Sequence, residues 1–225
     1  MLQADIVACR RCPRLIDHCT QIARVKRRAY RDWTYWGQPV PSFGSDRAKL
    51  LIVGLAPAAH GANRTGRVFT GDRSGDLLYR VLFKTGFANQ AESRAAGDGL
   101  RLDAARITAI AHCAPPDNKP LPGEIRNCRH WLKQEIAQLG DLQVVVALGR
   151  IGFEGYLAAL LELGRIQRRS GFKFGHNLLH DLGPDNPALI CSYHPSQQNT
   201  STGRLTEAML MDVFESARRR IASNR

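Results

Sequence analysis

Four short apolar runs, separated by longer segments with helical periodicity, constrain the fold more than any other feature of this sequence. A continuous apolar run of about five residues is typical of a strand that is covered on both faces of a sheet. The runs are residues 50–54, 107–111, 144–148 and 188–192. The helical patterns that alternate with them are residues 74–86, 124–140, 152–164 and 205–222. This alternation predicts an α/β protein, a three-layer α/β/α sandwich with a central, mostly parallel four-stranded sheet.

Residues that typically begin and end helices refine this prediction. Ser74 is a suitable N-cap for the first long helix, and Gly140 is a suitable stop for the second. The irregular stretch at residues 88–103 is predicted to be an exposed loop. Without a linker or an internal repeat, we expect residues 1–225 to form a single domain, whose N-terminal portion (about residues 1–45) is helical.

The charge of the chain indicates the class of its partner. The formal net charge of +12 favours a polyanion such as nucleic acid, although a generally basic proteome or a solubility device would give the same balance. Apolar runs stay well short of the roughly 18 residues of a membrane span. The N-terminus does not resemble a signal peptide, because charges and cysteines interrupt any apolar stretch. We therefore expect a cytoplasmic protein that makes no use of a membrane.

The six cysteines indicate a metal site. Cys9 and Cys12 form a CxxC pair near the N-terminus, Cys113 follows a predicted strand, and Cys128 lies inside a predicted helix. A thioredoxin-like pair would follow a strand instead, so redox exchange is disfavoured. Four thiolates suit either a structural zinc or an iron–sulfur cluster, and their spacing does not choose between the two. Cys19 and Cys191 are interpreted as small buried residues, although Cys19 is also a weaker candidate ligand.

Three polar segments follow predicted strands, at residues 63–72, 112–124 and 192–204. The carboxyl ends of parallel strands meet at one edge of a sheet, so these segments can converge on one crevice. Taken singly, each signal is weak. His194 could be a hydrogen-bonded structural histidine, Phe69 a core residue, and Asn118 a turn residue. Their joint placement is what indicates a binding site.

Three sequence motifs that span these segments indicate a protein family. They are GLAPAAHGANRTGRVFTGD at residues 54–72, CAPPDNKPLPGE at 113–124 and HPSQQNTSTGRLT at 194–206. Together with the four cysteines, they resemble the uracil-DNA glycosylase superfamily, specifically its type b, or family 5, branch. The resemblance implies an α/β/α glycosylase fold with a [4Fe–4S] cluster on Cys9, Cys12, Cys113 and Cys128. It also implies removal of uracil, and of other deaminated bases such as hypoxanthine, from DNA. We further expect activity on xanthine and a monomeric protein.

The resemblance also suggests roles for residues of the predicted crevice. A base inside a duplex must be extruded into a pocket before it can be excised. The small residues Gly54 and Ala56 leave room for the base, and Phe69 is placed to stack on it. The amide of Asn118 could match the Watson–Crick edge of uracil. His194 could donate a hydrogen bond to uracil O2, where negative charge builds as the glycosidic bond breaks.

Further residues are assigned to the attacking water and to DNA. Asn63 and Asp72 are the candidates that position the water, although Asp72 could instead cap the following helix or pair with Arg73. The glutamines after His194 could fill the hole left by the flipped base, and arginines could meet phosphates. The candidate DNA-binding residues are Arg64, Arg67, Ser196, Gln197, Gln198 and Arg204.

The chain departs from other branches of the superfamily at two motif sites. Leu55 and Ala56 stand where those branches place a carboxylate or an asparagine, and Ala109 and Ile110 stand where they place a base-reading asparagine. A pocket with fewer polar groups rejects fewer bases, so we expect activity on several deaminated bases. The alternatives are a member of the superfamily that binds deaminated or abasic DNA with little turnover, and a zinc-stabilised nucleotide-binding protein.

Overall fold

The computed structural model of the chain describes residues 2–223, and helices account for much of that span. Two of them, α1 (Leu2–Ala8) and α2 (Pro13–Val25), form the N-terminal segment, and a 3-10 turn at Arg28–Tyr30 follows. Leu2 and Ile6 of α1 pack against Trp131 of a later helix, which fixes the segment to the body of the protein. The other helices are α3 (Ala62–Thr65), α4 (Arg73–Lys84), α5 (Pro122–Gln138), α6 (Arg150–Glu162), α7 (Gln197–Ser201) and α8 (Glu207–Ser223).

A mixed sheet of six strands forms the middle layer, in the order β1-β3-β2-β4-β6-β5. The four central strands are parallel, and the two edge strands are antiparallel to their neighbours. The strands are β1 (Phe43–Gly44), β2 (Leu50–Gly54), β3 (Ala105–Ala109), β4 (Val144–Leu148), β5 (Leu179–His180) and β6 (Ala188–Ser192). The predicted four-stranded parallel core is confirmed. The edge strands were missed because two residues are too few to show a periodic pattern.

The second predicted strand is displaced by two residues, because β3 begins at Ala105. Its second residue, Arg106, is a charged side chain in a fully buried strand. Its guanidinium bonds Glu135 of α5 at 3.2 Å and Asp46 at 2.7 Å. Because this pairing neutralises the charge, Arg106 can occupy a position that an apolar pattern excludes.

Side chains that alternate along the strands divide the core into two halves. Leu50 and Ile52 of β2 face α4 and α8, whereas Leu51 and Val53 face α5 and α6. The neighbouring strands alternate in the same way because their register with β2 is continuous. The predicted three-layer α/β/α sandwich is therefore confirmed.

Two local predictions are corrected. The N-cap of α4 is Asp72 and not Ser74, because the Asp72 carboxylate accepts a hydrogen bond from Gly75 N at 3.0 Å. The stretch at residues 88–103 is not simply an exposed loop. Ala88 bridges Leu102, whose side chain is buried, and Asp98 pairs with a buried arginine. Within the described residues, no helix is long and apolar enough to cross a membrane.

Candidate functional site

The loops at the carboxyl ends of β2, β3 and β6 meet around a cavity of about 430 Å³, which we call the central cavity. The convergence predicted from parallel-strand geometry therefore occurs. Its wall also includes Leu55, Val68 and Ala109. Seven of the residues predicted to form the site line it: Ala56, Phe69, Asp72, Asn118, His194, Ser196 and Gln198.

Phe69 lies against the backbone of β2 in a strained conformation. Its φ angle of 52° is in the left-handed region, which bulky residues rarely adopt. A Cβ atom at Gly54 would come within 2.7 Å of the Phe69 ring, so only glycine allows the ring to lie there. Gly54 thus acts by making room for the ring that forms the wall, and does not itself line the cavity. Backbone strain of this kind is held by its surroundings and is typical of functional sites.

His194 lines the central cavity beside Phe69. Its ring centroid is 5.8 Å from that of Phe69, with an angle of 31° between the planes. Asn199 Nδ2 donates a hydrogen bond of 2.8 Å to the backbone oxygen of His194, which fixes the loop after β6. Burial lowers the pKa of His194 to about 4. The imidazole is therefore neutral at pH 7 and carries one N–H donor.

Asp72 both caps a helix and lines the cavity. One carboxylate oxygen accepts the Gly75 amide at the N-terminus of α4. The other lies so close to Gly61 that a Cβ atom at that position would overlap it. Burial raises the pKa of Asp72, although amide hydrogen bonds from Gly75 and Ser74 oppose this rise. The helix-capping alternative is therefore realised, and the same carboxylate also faces the central cavity.

Asn118 lies at the mouth of the cavity, in the loop after β3. Both Asn118 (φ 55°) and its neighbour Asp117 (φ 53°) adopt the left-handed conformation, which asparagine and aspartate tolerate best among side-chain-bearing residues. Asp117 also lines the cavity and was missed by the sequence analysis. Its position directly before Asn118 in a proline-rich turn was the available signal.

The departures from other branches leave one side of the cavity apolar. Leu55, Ala56 and Ala109 all line it without offering a hydrogen bond from a side chain. Ile110 instead lies in the core between the sheet and α5–α6.

Asn63 and Arg64 do not line the central cavity. Asn63 is fully buried, and its amide nitrogen lies 3.3 Å from the backbone oxygen of Cys19 in α2. The guanidinium of Arg64 lies over the rings of Tyr30 and Trp33, at 4.0 and 4.2 Å. It also donates to the backbone oxygens of His60 and Gly71. Both side chains are buried and donate to protein oxygens, so these contacts do not fit the predicted roles in water positioning and phosphate binding, even though Asn63 Oδ1 and Arg64 Nη1 have no hydrogen-bond partner within residues 2–223.

Arg67 was predicted to bind DNA, but like Arg64 it is buried and has partners within the protein. Only 5% of its side chain is exposed, and it forms a bidentate ion pair with Asp98 at 2.8 and 2.7 Å. It also donates to Thr70 and Ser93, at 3.0 and 2.8 Å. A guanidinium with all of these partners has no exposed group left for a phosphate, so the structure corrects the assignment of Arg67 to DNA.

Two further depressions flank the central cavity. One, the outer cavity, has a volume of about 920 Å³ and is lined by Gln197 together with His18, Arg27 and Arg73. His60, which sequence analysis also missed, lies there with its Nδ1 3.0 Å from the Tyr35 hydroxyl. The other, the side groove, measures about 290 Å³ and is lined by Arg150, Tyr193, His194 and Arg204. The guanidinium of Arg204 lies 4.7 Å from the centroid of the Tyr193 ring.

The four candidate ligand cysteines come together where the N-terminal helices meet α5 and the loop after β3. Cys9, Cys12, Cys113 and Cys128 line one small cavity, closed by Trp131. His112 N lies 3.3 Å from the Cys128 sulfur, and Asn127 Nδ2 lies 3.6 Å from that of Cys12. Within residues 2–223, no three His, Cys, Asp or Glu side chains are close enough to hold a single metal ion.

The electrostatics of these thiols reflect their proximity. Burial raises the pKa of Cys128 to about 12, and the neighbouring Cys9 and Cys12 add to the rise. Cys19 lies beside the group, because its sulfur accepts the Ala114 amide at 3.2 Å and it hydrogen-bonds Cys113. Packing several thiols together without a cation to balance their charge disfavours the thiolate form. A cationic group at this position would reverse that effect.

Comparison of the sequence with known proteins identifies its family. A family model described as the uracil DNA glycosylase superfamily matches residues 41–218. The chain belongs to the uracil-DNA glycosylase superfamily. The resemblance drawn from the three motifs is thereby confirmed.

Curated relatives of this superfamily member cover nearly the whole chain. A "Type-5 uracil-DNA glycosylase" of Mycobacterium tuberculosis is 51% identical over 219 residues, 97% of this chain and 80% of the relative. The protein of the same name from Thermus thermophilus is 46% identical over 95% of this chain and 94% of its own length. That from Pyrobaculum aerophilum is 41% identical over 94% and 88%. The Type-5 branch is the one that the motifs indicated.

Proposed function

We propose that this chain is a uracil-DNA glycosylase, which hydrolyses the N-glycosidic bond of uracil in DNA and leaves an abasic site. The observation that carries the proposal is the central cavity, where the Phe69 ring, the neutral His194 imidazole and the Asn118 loop surround one space. The names and high identities of the Type-5 relatives support the same activity.

Recognition of the base follows from the walls of the cavity. A flipped uracil enters from the DNA surface and stacks on Phe69, a contact worth about 1–3 kcal/mol. Asn118 at the mouth offers both a donor and an acceptor to the Watson–Crick edge. The surroundings that hold Phe69 in its strained backbone conformation keep its ring orientation fixed before the base arrives.

His194 stabilises the leaving group. As the glycosidic bond breaks, negative charge builds on uracil O2, and a neutral imidazole can donate its N–H to that oxygen. Because burial keeps the pKa of His194 near 4, the donor is available at physiological pH without a second proton. The sugar becomes oxocarbenium-like, and the electron pair of the bond leaves with the base.

Asp72 is the group that we assign to the attacking water. It is the carboxylate of the first loop that lines the central cavity, whereas Asn63 is buried against α2. A carboxylate there can accept a proton from the water as it adds to C1′ and can stabilise the positive sugar. Its capping bond to α4 fixes its orientation.

The surface around the cavity supports a DNA-binding role. Ser196 and Gln198 line the central cavity, and Gln197 lines the outer cavity, so both glutamines are near the space vacated by a flipped base. Arg73, Arg27 and Arg204 provide positive charge on either side for backbone phosphates.

We also propose that other deaminated bases, such as hypoxanthine and xanthine, are accepted. Rejection of a wrong base requires buried polar groups that it leaves unpaired. The apolar wall of Leu55, Ala56 and Ala109 supplies none from its side chains. Single-turnover assays on matched duplexes with uracil, hypoxanthine or xanthine test this; we expect excision of all three, and strict uracil selectivity would contradict it.

Incubation of the protein with a uracil-containing duplex, followed by alkali, tests the proposed reaction itself. We expect strand scission at the uracil, since an abasic site is alkali-labile, and no scission of the matched thymine duplex. Tight binding of the uracil duplex without scission would instead identify a protein that binds damaged DNA with little turnover.

We further propose that Cys9, Cys12, Cys113 and Cys128 hold a [4Fe–4S] cluster. All four thiols line one cavity, and four cysteine thiolates are the ligand set that such a cluster requires. Amide donors to the sulfurs of Cys12 and Cys128 would stabilise the thiolates. The cluster would supply structural stability, because it joins the N-terminal helices to α5 and to the loop after β3.

Absorbance near 400 nm of anaerobically purified protein tests the cluster. We expect a brown protein whose colour is lost in Cys113→Ser, with a lower unfolding temperature. Cys191→Ser is the matched control, because Cys191 is also buried but lies on β6, away from the thiol cavity. Colour retained in Cys113→Ser, or a colourless native protein with bound zinc, would overturn the ligand set.

We propose in addition that the enzyme acts as a monomer in the cytoplasm. All six cysteines are free, which suits a reducing compartment.

A further inference from the structure

A second basic depression runs along α6, beyond the residues assigned to the reaction. Its volume is about 950 Å³, and we call it the basic groove. One wall is α6 from Arg150 to Leu161, and the other is the segment at residues 167–174. The cations that line it are Arg150, Arg168, Arg169 and Lys173.

The groove carries a net positive charge that the protein does not neutralise. Arg168, Arg169 and Lys173 are exposed, and their side chains form no ion pair within residues 2–223. Glu154 is the acidic residue of the lining, and it already lies 3.7 Å from Arg150. Three unpaired cations on one surface attract a polyanion at short range.

The segment that carries these cations is anchored. The ring centroid of Phe174 lies 5.8 Å from that of Phe153 on α6, and Phe172 packs against His180 at 5.7 Å. His180 Nε2 donates to the backbone oxygen of Lys173 at 2.9 Å. The cations therefore lie on a fixed backbone, which lowers the entropy cost of binding to them.

The basic groove is continuous with the site of the reaction. Arg150 and Phe174 line both the basic groove and the side groove, and the side groove also contains His194 and Arg204. A path of positive charge thus leads from the central cavity over the beginning of α6 and along its length.

We propose that the basic groove binds the phosphodiester backbone of duplex DNA on one flank of the excised nucleotide. The inference rests on the proposed glycosylase activity for the position of that nucleotide. The path from Arg150 to Leu161 is about 16 Å long at 1.5 Å per residue. At 3.4 Å per base pair, the groove reaches about five base pairs from the lesion.

A paired-variant experiment tests the groove. Arg168→Gln/Arg169→Gln removes two of its charges. Arg101→Gln/Arg220→Gln is the matched control, since these exposed arginines also form no ion pair within the described residues and lie towards the amino ends of the strands, away from the cavity. Affinity for a non-cleavable duplex is measured over a salt series, together with the thermal stability of every variant.

We expect the groove variant to bind several-fold more weakly, with a salt slope smaller by about 0.9 for each phosphate that the variant no longer neutralises. The control should keep the slope of the native protein. Trimming the duplex to about three base pairs on one flank should reduce the difference, because that backbone then covers only the part of the groove nearest the cavity. Trimming the other flank should preserve it.

Three results would overturn the inference. They are an unchanged slope, an equal loss in the control, and a loss that does not depend on the length of either flank. An unchanged slope would point to an acidic protein partner for this surface. Failure of the proposed function would be a separate result, since it shows as absence of uracil excision by the native protein, whereas binding to the flank is measured without excision.

Discussion

Two parts of the loop after β2 contain similar polar residues and use them in opposite ways. The turn at residues 63–67 directs Asn63, Arg64 and Arg67 into the protein, where each finds an internal partner. The following residues, Phe69 and Asp72, line the central cavity. The residues of the first part stabilise the loop, and those of the second part place their side chains at the cavity.

The comparison teaches that polarity within a motif does not identify the residues that react. Burying a guanidinium is costly unless its hydrogen bonds are satisfied. Arg67 is therefore paired with Asp98 and Ser93, and it connects the loop after β2 to the stretch at residues 88–103. The side chains of His194 and Asn118, in contrast, have no hydrogen-bond partner within residues 2–223, and both line the central cavity. Substitutions in the two parts should therefore affect different measurements.

The largest effect is expected for Arg67→Ala, on stability. Removing one partner leaves the Asp98 carboxylate without its guanidinium, so the free energy of unfolding should fall by about 3–5 kcal/mol. Urea denaturation measures this loss. If the variant were stable and its DNA binding depended less on salt, Arg67 would instead be a DNA-binding residue.

The pH dependence of stability gives the same pair a second test. Burial raises the pKa of Asp98, but hydrogen bonds from Arg67 and three backbone amides outweigh it and lower the pKa below its ordinary value of 3.8. The stabilisation is then complete above that ordinary value and is lost as the pH falls through the lowered one. Asp98→Asn should remove this acid-dependent part of the unfolding curve.

His194→Ala should lower the single-turnover rate of uracil excision by about 10²–10³, because the leaving base loses its hydrogen-bond donor. DNA binding should change little. A large loss of affinity at an unchanged rate would contradict the role.

The pH–rate profile of the native enzyme separates a neutral donor from a protonated one. Burial sets the pKa of His194 near 4, below its ordinary 6.5, so its contribution should be constant from pH 8 to about pH 5. A change in the excision rate centred near pH 6.5, present in the native enzyme and absent in His194→Ala, would indicate a charged imidazole.

Phe69→Leu should cost about 1–3 kcal/mol of transition-state binding, because leucine fills the space over Gly54 but cannot stack on a base. The kcat/KM ratio for uracil duplexes measures this. Similar losses for all three deaminated bases are expected, since stacking does not depend on the hydrogen-bonding edge.

The smallest effect on stability should come from Asp72, and its variants separate its two roles. Asp72→Asn keeps a good N-cap and should leave stability unchanged while slowing excision. Asp72→Ala should slow excision and also destabilise the protein by about 1 kcal/mol. Full activity in Asp72→Asn would reduce this residue to a helix cap.

Much of the site could be predicted because strand ends are local features. Once the parallel strands are recognised, the positions of Phe69, Asn118 and His194 at one edge follow from the sheet. The orientation of Arg67 could not be predicted, because its partner Asp98 is 31 residues away in a stretch without periodicity. The capping role of Asp72 could be anticipated only as one alternative, since Ser74 offered an equally good local signal.

The sequence by itself determined the α/β class, the four central strands, the family and the loops that surround the cavity. These depend on periodicity and motif spacing, which are properties of neighbouring residues. The tertiary structure decided which polar side chains are buried and which remain free to bind. That distinction depends on partners distant in the chain, as in Arg67 with Asp98 and Arg106 with Glu135, because a buried charge takes the position that its counter-charge allows.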